Sequence, residues 1–285
     1  MLLPVMLYFL IFHYWPMYGV QIAFKRFSPA KGILGSDWVG FANFDRFFNS
    51  YYFNRLLINT VGINLYELAV AFPIPILLAL MINEVRSARF KRTVQTVTYA
   101  PYFLSTVVLV GMLTVFLSPT TGVVNHILSW FRIEPISFMT EPSWFKTLFV
   151  GSNVWQTAGW GSIIYIAALT NIDPHLHESA MIDGATRMQR IRHINIPGIL
   201  STIMILFILQ VGSMMSVGFE KVFLMQNELN REASDVFATY VYRSGILGAQ
   251  YSFASAVGLF NSVVNLLLLL VVNRAARRIS GNSLW

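Results

Sequence analysis

His175, His177 and Glu178 sit close enough together to suggest a metal site. A zinc-protease helix needs His-Glu-x-x-His, however, and the residue four beyond His177 is Met181, so the ligand pair fails. The chain has no cysteine, which removes disulfides, thiolate metal sites and cysteine nucleophiles together. No Gly-x-x-x-x-Gly-Lys-Ser/Thr occurs, so this chain cannot cradle ATP phosphates by itself. With no convincing nucleophile and base pair either, the expectation is a protein that is not an enzyme and binds no metal or cofactor of its own.

The remaining polar groups lie in apolar surroundings. Glu67 is the one acid inside a long apolar segment, where a carboxylate is costly enough to count as a functional candidate. It either lines a pathway or hydrogen-bonds a neighbouring helix. Asn153, Trp155, Gln156 and Trp160 fall in another such segment, Gln210, Ser213 and Ser216 in the next, and Asn261, Ser262 and Asn265 in the last. Amides and hydroxyls facing one another can simply hold helices together, each pair worth about 0.6–2 kcal/mol. They also suit a sugar, which offers hydroxyls to amides and C–H faces to aromatic rings. The candidates for a weak saccharide pathway are Trp155, Gln156, Trp160, Gln210 and Asn261. Glu220, Lys221, Arg231 and Arg243 follow the fifth apolar segment, and either attract an anionic substrate, dock a partner or are solvated loop charges.

These residues need apolar elements to carry them. Of the 285 residues 55% are hydrophobic and only 12% charged, against about 25% charged in a soluble domain. The apolar residues collect into runs of about twenty, the length that crosses a bilayer core as helix. Six spans are expected in one transmembrane domain covering 1–285: about 2–24, 56–83, 97–117, 147–170, 198–217 and 252–272. Solid apolar runs lack the alternation of an outer-membrane barrel, so the class is all-α and polytopic, with lipid as its surroundings. Pro73 and Pro75 in the second span and Pro101 in the third free carbonyls and kink helices, for packing or as a hinge. The segment Trp38 to Phe53 repeats aromatics at Phe41, Phe44, Phe48 and Tyr52, an amphipathic helix lying at the interface or meeting a partner.

Orientation follows from the basic residues. Arg86, Arg89, Lys91 and Arg92 crowd one loop, Arg187, Arg190 and Arg192 another, and Arg274, Arg277 and Arg278 the tail. That denser side is expected to be cytoplasmic, with both termini inside. Lys25 and Arg26 at the outer end of the first span run against this, so a basic cytoplasmic leader before residue 1 is the expectation. The net charge of +7 comes with no basic stripe, so it points to these loops and away from nucleic acid.

Between the fourth and fifth spans, residues 171–197 spell two short helices with a break. Asp173 is a good N-cap, Pro174 suits the first helical position, and Gly184 can adopt the left-handed conformation that ends a helix. Thr186 and Gln189 then form a capping-box pattern, and Pro197 closes the second helix. The result is either an ordinary surface loop or a cytoplasmic elbow whose first helix enters a groove of a soluble partner.

The stretch from Glu178-Ser179-Ala180 to Asp183-Gly184-Ala185, followed by Ile194-x-Ile196-Pro197, resembles the EAA motif of ABC importer permeases. Ser179, Ile191 and Ile196 depart from its usual residues by size-tolerant exchanges. The likeness runs along nearly the whole chain. Met17 to Lys25, Trp38 to Phe44, Asn59-Thr60, Leu80 to Val85, Phe90 to Thr96, Ala158 to Tyr165, Gly218 to Glu220 and Tyr251 to Ala254 resemble the polysaccharide-type branch of carbohydrate permeases. That resemblance implies a type I ABC importer permease fold in a bacterial inner membrane, carrying uronate-containing oligosaccharides such as alginate, aldouronate or pectin fragments. It further implies a second homologous permease, two cytoplasmic ATPases that hold ATP and Mg, and an extracytoplasmic solute-binding protein. Glu178, Ser179, Ala180, Asp183, Gly184 and Ala185 would then couple to the ATPases. The rival reading is a stand-alone secondary transporter or channel, for which the elbow would have no purpose.

Overall fold

The computed structural model describes residues 2–280, a bundle of helices with one two-residue antiparallel pair, Lys25–Arg26 against Asp37–Trp38. Met1 and residues 281–285 of the expected single domain lie outside the described residues. Among the described residues three helices are long and apolar enough to cross a bilayer: Leu3–Phe24, Tyr52–Asn83 and Tyr251–Arg278. Pro142–Thr170, the fourth span, has 29 residues and so a length of about 43 Å, but Asn153, Gln156 and Thr157 dilute its apolar character.

The third and fifth spans, expected at 97–117 and 198–217, are each two helices with a sharp bend between them. The third is a pair, Ala88–Phe103 and Thr106–Phe116, bent by 99°. The helix runs on through Ala100 and Pro101 and stops at Leu104, which is extended; the Ser105 hydroxyl then accepts from Val108 N at 3.3 Å, which starts a new helix. The fifth is Arg187–Gly198 and Leu200–Gly212, bent by 61° where Pro197 and Gly198 interrupt the ladder.

Lipid tails are as apolar as leucine, so packing rather than burial selects which helices meet. Two glycines bring backbones close. A Cβ on Gly159 would lie 2.0 Å from the Thr98 carbonyl oxygen, and one on Gly161 would touch Pro75 at 3.4 Å. Around these contacts the core forms three clusters. Ile63, Val110, Phe149 and Val222 join spans two, three and four to the short helix Phe219–Met225. Ala79, Leu80, Tyr165, Leu169 and Ile199 join spans two, four and five at their other ends. Phe47 of the short helix Ala42–Phe48 gathers with Leu56, Phe237, Phe253 and Val257.

That helix is shorter than the expected Trp38 to Phe53. Its fully buried ring is Phe47, outside the aromatic stripe, while Phe41 and Phe48 are exposed. In the first span no residue of 3–18 is buried; only its last turns, Tyr18–Phe24, rest on the sixth span.

Candidate functional site

The elbow is built as its residues dictate. Asp173 caps the helix Pro174–Ile182 by accepting from His175 N at 3.0 Å. Gly184 takes φ +75°, and the chain reverses with Ala185 N bonded to Ala180 O at 2.8 Å. This is the Schellman pattern, in which a left-handed residue lets the last carbonyls find donors. Thr186 N donates to Gln189 Oε1 at 2.7 Å and completes the capping box of the second helix. His175 and Glu178 face each other at 3.3 Å, and among the described residues no three His, Asp or Glu side chains converge as metal ligands.

No residue of Pro174–Ile182 is buried, and Leu176, Met181 and Ile182 are exposed, Ile182 by 87%. The elbow's two ends are nonetheless fixed. Ile172 and Ile191 pack into the cluster around Leu169 and Ile199, and a Cβ on Gly198 would come within 2.6 Å of Ile172 Cδ1. The exposed helix is thus joined at both ends to the cluster where spans two, four and five meet.

Between those same spans lies a cavity of about 440 Å³, lined by Phe72, Pro75, Asn153, Thr157, Trp160 and Gln210 among others. Of the five sequence-derived pathway candidates, Trp160 and Gln210 reach this cavity and three do not. Trp155 lines an apolar recess with Met112 and Phe116 on another side of its helix. Gln156 Nε2 donates to Leu104 O at 2.9 Å, so it satisfies a carbonyl freed by the break in the third span. Asn261 lies in the sixth span, with a buried Oδ1 that accepts no hydrogen bond. Trp160 stacks on Tyr102 at 4.5 Å with planes 3° apart, an aromatic wall that the sequence did not single out.

Asn153, Ser216 and Asn265 join one element to another. Asn153 donates to Glu67 Oε1 at 2.6 Å, tying span four to span two. Asn265 accepts from Met215 N at 2.8 Å and donates to Ser216 Oγ at 2.9 Å, tying span six to the end of span five. At the end remote from the elbow, Lys221 is buried and donates to Phe149 O at 3.0 Å; loss of hydration pushes its ammonium down to about 8, and the charge of Glu67 opposes that shift. Arg243 pairs with the fully buried Asp235 at 2.7 Å, and Arg231 pairs with Glu228. Three of the basic charges expected at the outer mouth are thus engaged within the chain.

Residues 71–281 match the family of binding-protein-dependent transport system inner membrane components. The chain belongs to this family. It is a permease subunit of an ABC importer, a transport component and not an enzyme. The permease is 45% identical to protein LplB of Bacillus subtilis over 100% of its own length and 90% of that relative. It is 44% identical to the polygalacturonan/rhamnogalacturonan transport system permease protein YteP of Bacillus subtilis, over 100% and 89% of the two chains. Among solved structures, it matches a chain of a bacterial ABC transporter involved in the import of the acidic polysaccharide alginate. The TM-score is 0.92 at 45% identity, over 98% of this chain and 94% of that one. A chain of bacterial alginate ABC transporter in complex with an alginate pentasaccharide-bound periplasmic protein matches with a TM-score of 0.93 at 44% identity, over 99% and 94% of the two chains.

Proposed function

We propose that this permease passes uronate-containing oligosaccharides from an extracytoplasmic binding protein into the cytoplasm, with a second homologous permease and two ATPases that hold ATP and Mg. The observation that carries the reading is the elbow, a helix with Leu176, Met181 and Ile182 exposed and no residue buried by the rest of the described chain, its ends fixed to the spans around the 440 Å³ cavity. A permease without a nucleotide site of its own needs such a handle for ATPase closure to move it. Glu178, Ser179, Ala180, Asp183, Gly184 and Ala185 form the handle, and Trp160 and Gln210 line the route. The transport of polygalacturonan by one relative, and of alginate by the importer that holds a structural neighbour, supports an acidic cargo. The basic loops support a cytoplasmic elbow and cytoplasmic termini.

The test is purification of the permease with its co-expressed neighbours, followed by ATP hydrolysis in lipid discs with the binding protein and one glycan at a time. Oligogalacturonate or oligoalginate should stimulate hydrolysis, and neutral galacto-oligosaccharide should not. Ala180→Arg should keep the two permeases together and abolish the stimulation. Stimulation by neutral glycans alone would defeat the acidic-cargo reading, and full stimulation in Ala180→Arg would remove the elbow from coupling.

A further inference from the structure

A second cavity, of about 780 Å³, opens at the end of the spans remote from the elbow. The start of span two contributes Tyr51, Asn54 and Arg55, the start of span four Lys146, and the loop after span five Glu232. Both spans run from this cleft to the elbow end, since Leu80 and Leu169 near their far ends share the elbow cluster.

Two cations dominate the cleft. Lys146 makes no ion pair among the described residues, and its ammonium lies over Gly62, 3.0 Å from where a Cβ would stand. Arg55 is anchored to Asp235 at 3.0 Å, but Asp235 is shared with Arg243, so two guanidinium groups face one carboxylate and a positive charge is left over. Arg55 Nε and Ser50 Oγ, both on residues that line the cleft, are buried without a hydrogen-bond partner. Both atoms lie beneath the surface of the lining, so the charge that an entering group meets is that of Lys146 and of the part of Arg55 that stays exposed. Glu232 is the one opposing acid in the lining and is exposed to solvent.

The cleft also lies on the same face of span four as the inner cavity. Lys146, Asn153 and Trp160 recur every seven residues, so they form one stripe along span four. Lys146 stands about 10 Å along the helix from Asn153. The Tyr51 ring, 84% exposed, forms a lip beside the Arg55 guanidinium, which lies 6.0 Å from its centroid.

We infer that this cleft is the entry subsite for one uronate residue of the cargo, its carboxylate held by Lys146 and Arg55 and its sugar face against Tyr51. The inference rests on the acidic-cargo reading above. A carboxylate meets the unpaired charge, hydroxyls meet Asn54, and the apolar face of the ring meets the tyrosine lip. A free phosphate would leave the lip without a partner.

The experiment uses the complete transporter in proteoliposomes with its loaded binding protein, and trigalacturonate and its carboxyl-reduced, neutral counterpart as probes. In Lys146→Gln, the ratio of acidic to neutral uptake should fall roughly tenfold through a raised KM, the loss of one charged hydrogen bond. Lys146→Arg should restore most of it. An unchanged ratio in both Lys146→Gln and Lys146→Glu would overturn the subsite while leaving the acidic cargo in place. If Lys146→Gln instead weakens docking of the unloaded binding protein as much as the loaded one, the cleft is a protein-docking surface and the subsite is overturned. Uptake of the neutral probe alone by the unaltered transporter would overturn both.

Discussion

Gly184 sets the direction in which the elbow leaves its first helix. At φ +75° a side chain with a Cβ costs about 1–2 kcal/mol, and a β-branched one more. No atom lies within 4 Å of a Cβ built there, so the penalty comes from the backbone alone and crowding adds nothing. Gly184→Val should therefore insert, fold and assemble with the second permease, yet lose ATP-driven uptake because the helix is misdirected. Gly184→Asn, which tolerates the left-handed region, should keep most of the activity. Uptake measured in vesicles alongside co-purified ATPase decides it; equal activity in Val and Asn variants would show that the turn does not aim the helix. Local chemistry of this kind is legible in sequence, because cap, proline, left-handed glycine and capping box act over a few residues. Rotational phase is not. Trp155 and Trp160 are five positions apart and so face directions about 140° apart. In a helix apolar on most sides nothing local says which of them meets the cavity. Lys146 was missed for a related reason: it stands one residue before the expected start of the fourth span. Counting back seven from Asn153 was the available signal.

At the scale of elements, the broken third span is held by span four. Ala88–Phe103 turns across it, Gly159 lets the Thr98 backbone approach, and Gln156 takes the Leu104 carbonyl at the bend. Pro101 announced a kink, but a bend of 99° follows from Ser105 starting a fresh helix and from the glycine contact, which are tertiary. Gly159→Ala forces a methyl group into a backbone carbonyl and cannot be relieved by a side-chain rotation. It should cost roughly 1–3 kcal/mol, as overpacking does, visible as a lower melting temperature and less assembled complex in detergent. Gly151→Ala, on the same helix with open space around it, should melt as the unaltered protein does. Equal melting of both variants would show that the third span is not seated on Gly159.

For the whole molecule, the clusters at the two ends fix how many crossings the chain makes. Span two passes from Ile63 in the remote cluster to Leu80 in the elbow cluster, and span four passes from Phe149 to Leu169 in the same sense. The chain must return between them, and only the bent pair Ala88–Phe103 and Thr106–Phe116 is available, with Val110 already in the remote cluster. Thr106–Phe116 alone spans about 16 Å, half of a hydrocarbon core of about 30 Å, so both halves of the pair are needed for the crossing. A reporter inserted at Ser143 should therefore lie outside, and one between Arg86 and Arg92 in the cytoplasm with a third placed after Arg278. Alkaline phosphatase, active only outside, and a fluorescent protein, folded only inside, give opposite readouts at each site. If Ser143 and the basic loop report the same side, the bent pair is a re-entrant hairpin, the count of crossings falls by one, and the cleft around Lys146 would open toward the cytoplasm.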